Sequence, residues 1–216
     1  MSVRRGFLRG ANSLMKQIRR GRWRHILWRA NMMVRGVDLA FASEAQLGLP
    51  DSSLHYRATS GPDFAKILRQ IDIPPGSKIV DIGCGKGVSL ITMAKFPFSR
   101  IDGCDLSPEL IRTAEANVRR MKLKGVHLYC CDATQFTDLD DYSHIYFYNP
   151  FTSVIFKPVM DNILSSLDRN PRKLTVIYNN PACHAVIAAT SVFDKVQEFH
   201  HSVFPCYVYV SRYGGQ

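Results

Sequence analysis

The chain has 216 residues, a formal net charge of +10, 46% hydrophobic and 21% charged residues, the balance of a soluble globular protein with one full-sized domain and room for an appendage. A domain of this size buries enough surface to fold without disulfides or a structural metal. The charge is lopsided: residues 1–40 hold ten Lys/Arg and one acid, Asp38, whereas residues 41–216 hold 18 basic and 17 acidic residues, so the basic balance is no sign that the body binds nucleic acid.

In chain order, Ile26, Leu27, Ala30, Met33, Val34 and Val37 fall at helical spacing with a basic opposite face, predicting a helix over 24–37 that packs its Ile26/Leu27/Ala30/Val34 side on the body. Gly10 and Gly21 break anything upstream, and Pro50-Asp51-Ser52-Ser53 reads as a turn. A second helix is expected from Gly61 to Ile71, stopped by Pro74-Pro75-Gly76. From there strands and helices alternate. Strands are expected at Lys78–Ile82, Arg100–Asp105, Val126–Cys131, Ser143–Asn149 and Leu174–Tyr178. Helices are expected at Val88–Phe96, after the Ser107-Pro108-Glu109 cap with Leu110, Ile111, Ala114 and Val118 as its apolar face, at Val154–Leu167 and at Ala182–Ala189. Two β-rich runs, Val192–Phe199 and Val203–Val210, follow without a helix between them and read as an antiparallel hairpin.

Alternating strand and helix predicts an α/β fold with a Rossmann-like, doubly wound, mainly parallel seven-stranded sheet, a C-terminal antiparallel hairpin and an N-terminal helical extension. The expected division is 1–54 for the basic extension and 55–216 for the α/β domain. No run approaches eighteen apolar residues, so no integral membrane segment is predicted. Arginines break any secretory h-region, although the lack of acids before Asp38 resembles a transit peptide. The cysteines Cys84, Cys104, Cys130, Cys131, Cys183 and Cys206 form no C-x-x-C pair, so neither zinc nor iron–sulfur spacing is present and no metal site is expected. Reduced thiols in a cytoplasm are the simplest expectation, with a membrane surface as a second location. The basic tail has three candidate partners: anionic lipid, nucleic acid or an acidic protein.

The chemically informative residues stand at the expected carboxyl ends of strands. Asp81-Ile82-Gly83-Cys84-Gly85-Lys86-Gly87 is strand, glycine loop and helix start, which lets backbone approach a ligand closely. It is not a P-loop, because Lys86 precedes the last glycine, and Val88 at the sixth position fits a dinucleotide fingerprint poorly. Asp105 ends the second strand and Asp132 follows the third.

This arrangement resembles class I S-adenosylmethionine (SAM)-dependent methyltransferases over residues 55–210. The resemblance implies that SAM is the cofactor and S-adenosylhomocysteine the product. It implies that Gly83, Cys84, Gly85 and Gly87 border the methionine part of SAM and that Asp81 orients its amino end. Asp105, with Leu106 beside it, would take the ribose hydroxyls, and Asp132 with Ala133 the adenine. Tyr56 and Thr59 would lie in a segment closing over SAM. Tyr148-Asn149-Pro150-Phe151 resembles the family's motif IV, (Asp/Asn/Ser)-Pro-Pro-(Tyr/Phe/Trp), with one proline missing. Asn-Pro-Phe at this point is similar to uncharacterised bacterial members. Asn149, Pro150 and Phe151 are therefore the expected catalytic residues, with Asn149 also bordering the cofactor.

The implied activity is methyl transfer to a nitrogen of a protein or small-molecule acceptor, itself unidentified. An O-methyltransferase, a non-catalytic SAM-binding scaffold and a nucleotide-dependent oxidoreductase are the alternatives. Asn179 and Asn180, before Pro181, repeat the Asn-Pro order at the next strand end and are further candidates for substrate contact. His184 and His200-His201 read as surface residues.

Overall fold

Apolar runs of five or six residues, bounded by glycine, proline and aspartate, form the strands β1 (Lys78–Ile82), β2 (Arg100–Asp105), β3 (Val126–Cys130), β4 (His144–Tyr148) and β5 (Thr175–Asn179), followed by β6 (Phe193–Phe199) and β7 (Cys206–Ser211). The computed structural model describes residues 23–40, 61–200 and 204–213. The strands make one sheet in the order β3-β2-β1-β4-β5-β7-β6. β1 to β5 are parallel, whereas β7 runs antiparallel to both β5 and β6, as the expected hairpin requires. The order reverses between β1 and β4. In such sheets the crevice above the carboxyl ends at this reversal is where ligands sit.

The helices are α1 (Trp23–Val34), α2 (Gly61–Leu68), α3 (Val88–Met93), α4 (Pro108–Arg120), α5 (Ser153–Arg169) and α6 (His184–Ala188). One sheet face, through Val80, Ile82, Ile145, Phe147 and Val176, packs on Phe156, Val159, Met160, Ile163 and Leu167 of α5. The opposite face, through Ile79, Ile101, Tyr146 and Ile177, packs on Phe64, Ile67 and Leu68 of α2 and on Leu90 and Met93 of α3. Within the sheet, the fully buried Asp102 carboxylate is neutralised by Arg100 at 2.7 Å, approached by His127 at 3.0 Å and given a hydrogen bond by Tyr142. A buried charge of this kind is tolerated only when paired and hydrogen-bonded.

Three expectations need correction. The helix expected over Val88–Phe96 ends at Met93, and tight turns carry the chain to Pro97. In α4 the inward position is Asn117 rather than Val118: Asn117 is buried and Val118 only partly so. Asn117 sits inside because its amide bonds to backbone, accepting from Asp38 N and donating to the Lys86 and Asp38 carbonyls.

The largest correction concerns α1. Its Leu27 and Val34 are 60% and 88% exposed, so the Ile26/Leu27/Ala30/Val34 side does not pack on the body. His25, Trp28 and Met32 face inward instead. Met32 joins Val37 and Ile91 in a small core, His25 pairs with Asp63 at 3.2 Å, and the Trp28 ring lies against Gly61. A β-carbon on Gly61 would come within 2.4 Å of that ring. Among the described residues no helix is long and apolar enough to cross a membrane. The expected boundary at residue 54 lies outside the described residues, as do Tyr56 and Thr59.

Candidate active site

The loop leaving β1 is fixed to β2: the amides of Gly83 and Cys84 both donate to the Cys104 carbonyl at 2.9 Å. Gly83, Gly85 and Gly87 all have positive φ, at 84°, 54° and 71°. This left-handed backbone folds the loop back over the strand ends and is costly for residues with a β-carbon. Cys84 points down into the sheet, where its Sγ lies 2.9 Å from a β-carbon placed on Gly103. Burial pushes its thiol pKa well above the ordinary value, so it is an inert packing group lining the underside of the loop.

Asp81 is buried. Its Oδ2 accepts a hydrogen bond from Ser89 of α3, and its Oδ1 has no partner. Burial first, and the Asp105 charge with it, raise its pKa to about 7 against the lowering effect of Ser89. A buried carboxylate with a free oxygen is a site for a cationic or N–H donor.

Asp105 stands across the loop. One carboxylate oxygen accepts from Gly85 N and the other from Ser107 N, each at 2.9 Å. Burial raises its pKa while these amides oppose the rise. The side chain thus braces the loop while each oxygen keeps a second lone pair. Leu106 is an exposed apolar residue at this strand end. Beyond β3, Asp132 Oδ1 caps a single 3-10 turn, accepting from Thr134 N at 2.8 Å and Thr134 Oγ1 at 2.9 Å, with Ala133 buried behind it. Cys131 is half-buried beside Cys104, whose hydrogen bond lowers the Cys131 thiol to about 7.

The Asn149-Pro150-Phe151 turn leaves β4 directly over the glycine loop. A β-carbon on Gly83 would lie 2.5 Å from Pro150 Cβ and 3.8 Å from the Phe151 ring, so the two loops are in contact. Asn149 adopts φ 39°, and its Oδ1 is buried without a partner. At the adjacent strand end, Asn179 is also buried with an unpartnered Oδ1, and Asn180 has φ 52°. Asn tolerates left-handed backbone better than other residues with a β-carbon, which explains its use before both prolines. His184 is exposed with its ring edge toward Tyr207, and His200 pairs with Glu198 at 3.0 Å, so neither joins this cluster.

Sequence reasoning missed Lys86. It is buried in the glycine loop and reaches Asp38 at 2.9 Å. Burial opposes the Asp38 charge, and the Lys86 ammonium overrides it, lowering the Asp38 pKa. A lysine inside a glycine loop that is no P-loop was the available signal: without a phosphate to bind, it needed a carboxylate.

The model of a family described as a methyltransferase domain matches residues 79–172. An uncharacterised protein of Rickettsia prowazekii is 34% identical over 111 residues, covering 48% of this chain and 43% of that protein. Human EEF1A lysine methyltransferase 2 is 39% identical over 61 residues, 28% of this chain and 26% of that protein. The ribosomal protein L11 methyltransferase of Bacillus cereus is 32% identical over 78 residues, 35% of this chain and 25% of that enzyme. The chain thus spans between a quarter and just under half the length of these relatives. Among solved structures, a ribosomal protein L11 methylase from Lactobacillus delbrueckii subsp. bulgaricus superposes with a TM-score of 0.57 at 15% identity, covering 76% of this chain and 83% of that one. An RNA methyltransferase from Salinibacter ruber in complex with S-adenosyl-L-homocysteine gives 0.55 at 14% identity, covering 71% and 92%. At these identities the structural likeness concerns the fold.

Proposed function

We propose that this chain, whose residues 79–172 match a methyltransferase-domain family, transfers a methyl group from SAM to a nitrogen of its acceptor. The observation that carries this reading is the contact of the glycine loop with the Asn149-Pro150-Phe151 turn, on which Asn149 Oδ1 is buried and unpartnered. A buried oxygen left without a donor costs about 1–3 kcal/mol, so a site that keeps one is built for a ligand's N–H or O–H.

The residues present fit SAM. Asp81 Oδ1 is free for an ammonium, Asp105 keeps lone pairs for vicinal hydroxyls, the glycines leave room for close approach, and Leu106 offers an apolar flank to a base. When bound, SAM supplies a methyl on a sulfonium, an already excellent leaving group. The protein's share is therefore alignment and exclusion of water. Asn149 Oδ1 accepts an N–H of the acceptor and directs its lone pair. Phe151 offers a ring face to the positive charge that develops on nitrogen. Pro150, seated on Gly83, keeps the acceptor side in register with the cofactor side. Asn179 Oδ1 adds a second acceptor oxygen one strand over.

A protein amine is the acceptor class we favour, because the curated relatives include a lysine methyltransferase and a ribosomal protein methyltransferase. The cytoplasm is the matching location, and the tail at 1–54 is read as an extension to the α/β domain.

Calorimetry with SAM and S-adenosylhomocysteine tests the cofactor. Folded wild-type protein that binds neither overturns the reading. Asp105→Ala should weaken binding about a hundredfold, since hydrogen bonds to a charged group contribute about 1.5–3 kcal/mol each. A melting curve run beside it separates this loss from loosening of Gly85. Transfer of labelled methyl to amine acceptors then tests Asn149. Asn149→Ala should lower kcat by roughly a hundredfold with little change in SAM affinity, the signature of lost alignment. Unchanged turnover would remove Asn149 from the chemistry.

A further inference from the structure

Helix α1 carries two opposed faces. His25, Trp28 and Met32, at i, i+3 and i+7, bind it to α2 and to the small core around Ile91. On the far side, Trp23, Leu27, Ala30 and Val34, at i, i+4, i+7 and i+11, form an apolar stripe. Trp23 is 52%, Leu27 60% and Val34 88% exposed, and Met33 beside them is 66% exposed. A helix seated on a globular domain normally buries its apolar face and turns a polar one outward, whereas this one buries Trp28 and Met32 and still exposes a second apolar stripe.

The charges surround that stripe. Arg24 lies on one flank of the helix and Arg29 on the other, Arg35 follows directly after its last residue, all three are exposed, and α1 contains no acid. The preceding 22 residues contribute seven more Lys/Arg and no acid.

We infer that the outward face of α1 docks the protein on an anionic lipid surface, with Leu27 and Val34 in the acyl boundary and Trp23 and the flanking arginines among the headgroups. An outward apolar stripe, an arginine on each side and a tryptophan at one end are what an interfacial helix needs, because apolar burial and headgroup attraction act together there. Phosphate recognition by nucleic-acid binders puts cations at the centre of the contact, whereas here the centre is Leu27 and Val34. The methyltransferase domain would then work beside a membrane, and this inference stands independently of the acceptor proposed above.

The test is co-sedimentation of the full chain with phosphatidylcholine vesicles and with vesicles in which about one lipid in three is phosphatidylglycerol, at low and moderate salt. Wild type should partition onto the anionic vesicles at least about tenfold more strongly than onto neutral ones, and less so as salt rises. Leu27→Glu with Val34→Glu should weaken that binding by about tenfold or more, because both side chains lose their apolar burial. The exposed positions should leave the melting curve unchanged. Arg24→Ala with Arg29→Ala should weaken binding to the anionic vesicles alone. Absence of vesicle binding by wild type overturns the inference, and so does binding that Leu27→Glu/Val34→Glu leaves intact. If that double variant instead abolishes self-association, or retention by an oligonucleotide or an acidic polypeptide, while wild type ignores vesicles, the stripe belongs to that partner and the lipid assignment is wrong.

Discussion

Replacing Gly83 by alanine should cost about 2–4 kcal/mol of folding stability and most of the cofactor affinity. Two independent penalties add. The residue sits at φ 84°, a left-handed backbone that a β-carbon strains by about 1–2 kcal/mol. The new methyl would also meet Pro150 Cβ at 2.5 Å and Cγ at 3.3 Å. The proline ring cannot swing aside as a flexible side chain could. Relief must come from moving the whole Asn149-Pro150-Phe151 turn or the loop itself, and either movement separates the proposed methyl donor site from the proposed acceptor site. Pro150→Gly in the Gly83→Ala background should recover the steric part and leave the backbone part. Chemical denaturation and SAM calorimetry on the three proteins separate the two. A Gly83→Ala protein that melts like wild type and binds SAM normally would show that the turn does not rest on the loop.

Asp81→Asn should have opposite effects on the two states of the protein. In the cofactor-free fold the Asp81 carboxyl titrates at about 7, raised chiefly by burial, while in the unfolded chain it titrates at its ordinary value. Between roughly pH 4 and 7 the folded protein holds a proton that the unfolded chain has lost, so stability falls as pH rises through that window. A shift of this size corresponds to a loss on the order of 4 kcal/mol. Asparagine carries no such charge and still offers Ser89 an oxygen, so the variant should melt at a higher temperature than wild type at pH 8 and close to it at pH 4. SAM affinity should move the other way, weakening about 30–100-fold for loss of a charge-assisted bond to an ammonium. Wild-type affinity should itself rise with pH up to about 7, because the proposed contact with the SAM ammonium needs the ionised carboxylate. The neighbouring groups that set this titration are Asp105 across the loop and Ser89 on α3. An Asp81→Asn protein less stable than wild type at pH 8 would mean that the carboxylate is satisfied in the empty fold.

Strands β1 and β2 were legible to the residue, because Lys78–Ile82 and Arg100–Asp105 are apolar runs ended by glycine or by a helix cap. The three acids and the glycine loop were legible for a related reason: parallel sheets put their chemistry at strand ends, so position in sequence gives position in space. The orientation of α1 was not. Periodicity reveals that a stripe exists but not which neighbour it meets. Here the buried stripe is made of His25, Trp28 and Met32, whose partners Gly61 and Asp63 lie far along the chain. Asn117 was hidden likewise, because a polar residue on a helix reads as surface until the backbone groups that satisfy it are known. The unpartnered oxygens of Asp81, Asn149 and Asn179 belong to the same class, since burial without a partner is a property of the packing and not of the residue.

The Lys86–Asp38–Asn117 junction makes the N-terminal arm difficult to treat as a detachable module. A chain trimmed beyond residue 38 would leave the Lys86 ammonium buried beneath the glycine loop with its counter-ion gone, and would strip Asn117 of two of its backbone partners. An uncompensated buried cation destabilises strongly, so the damage would appear at the loop rather than at the cut. Asp38 and Lys86 therefore work as a unit: removal of the arm should be tolerated better when Lys86 is replaced by a neutral residue than when it is kept.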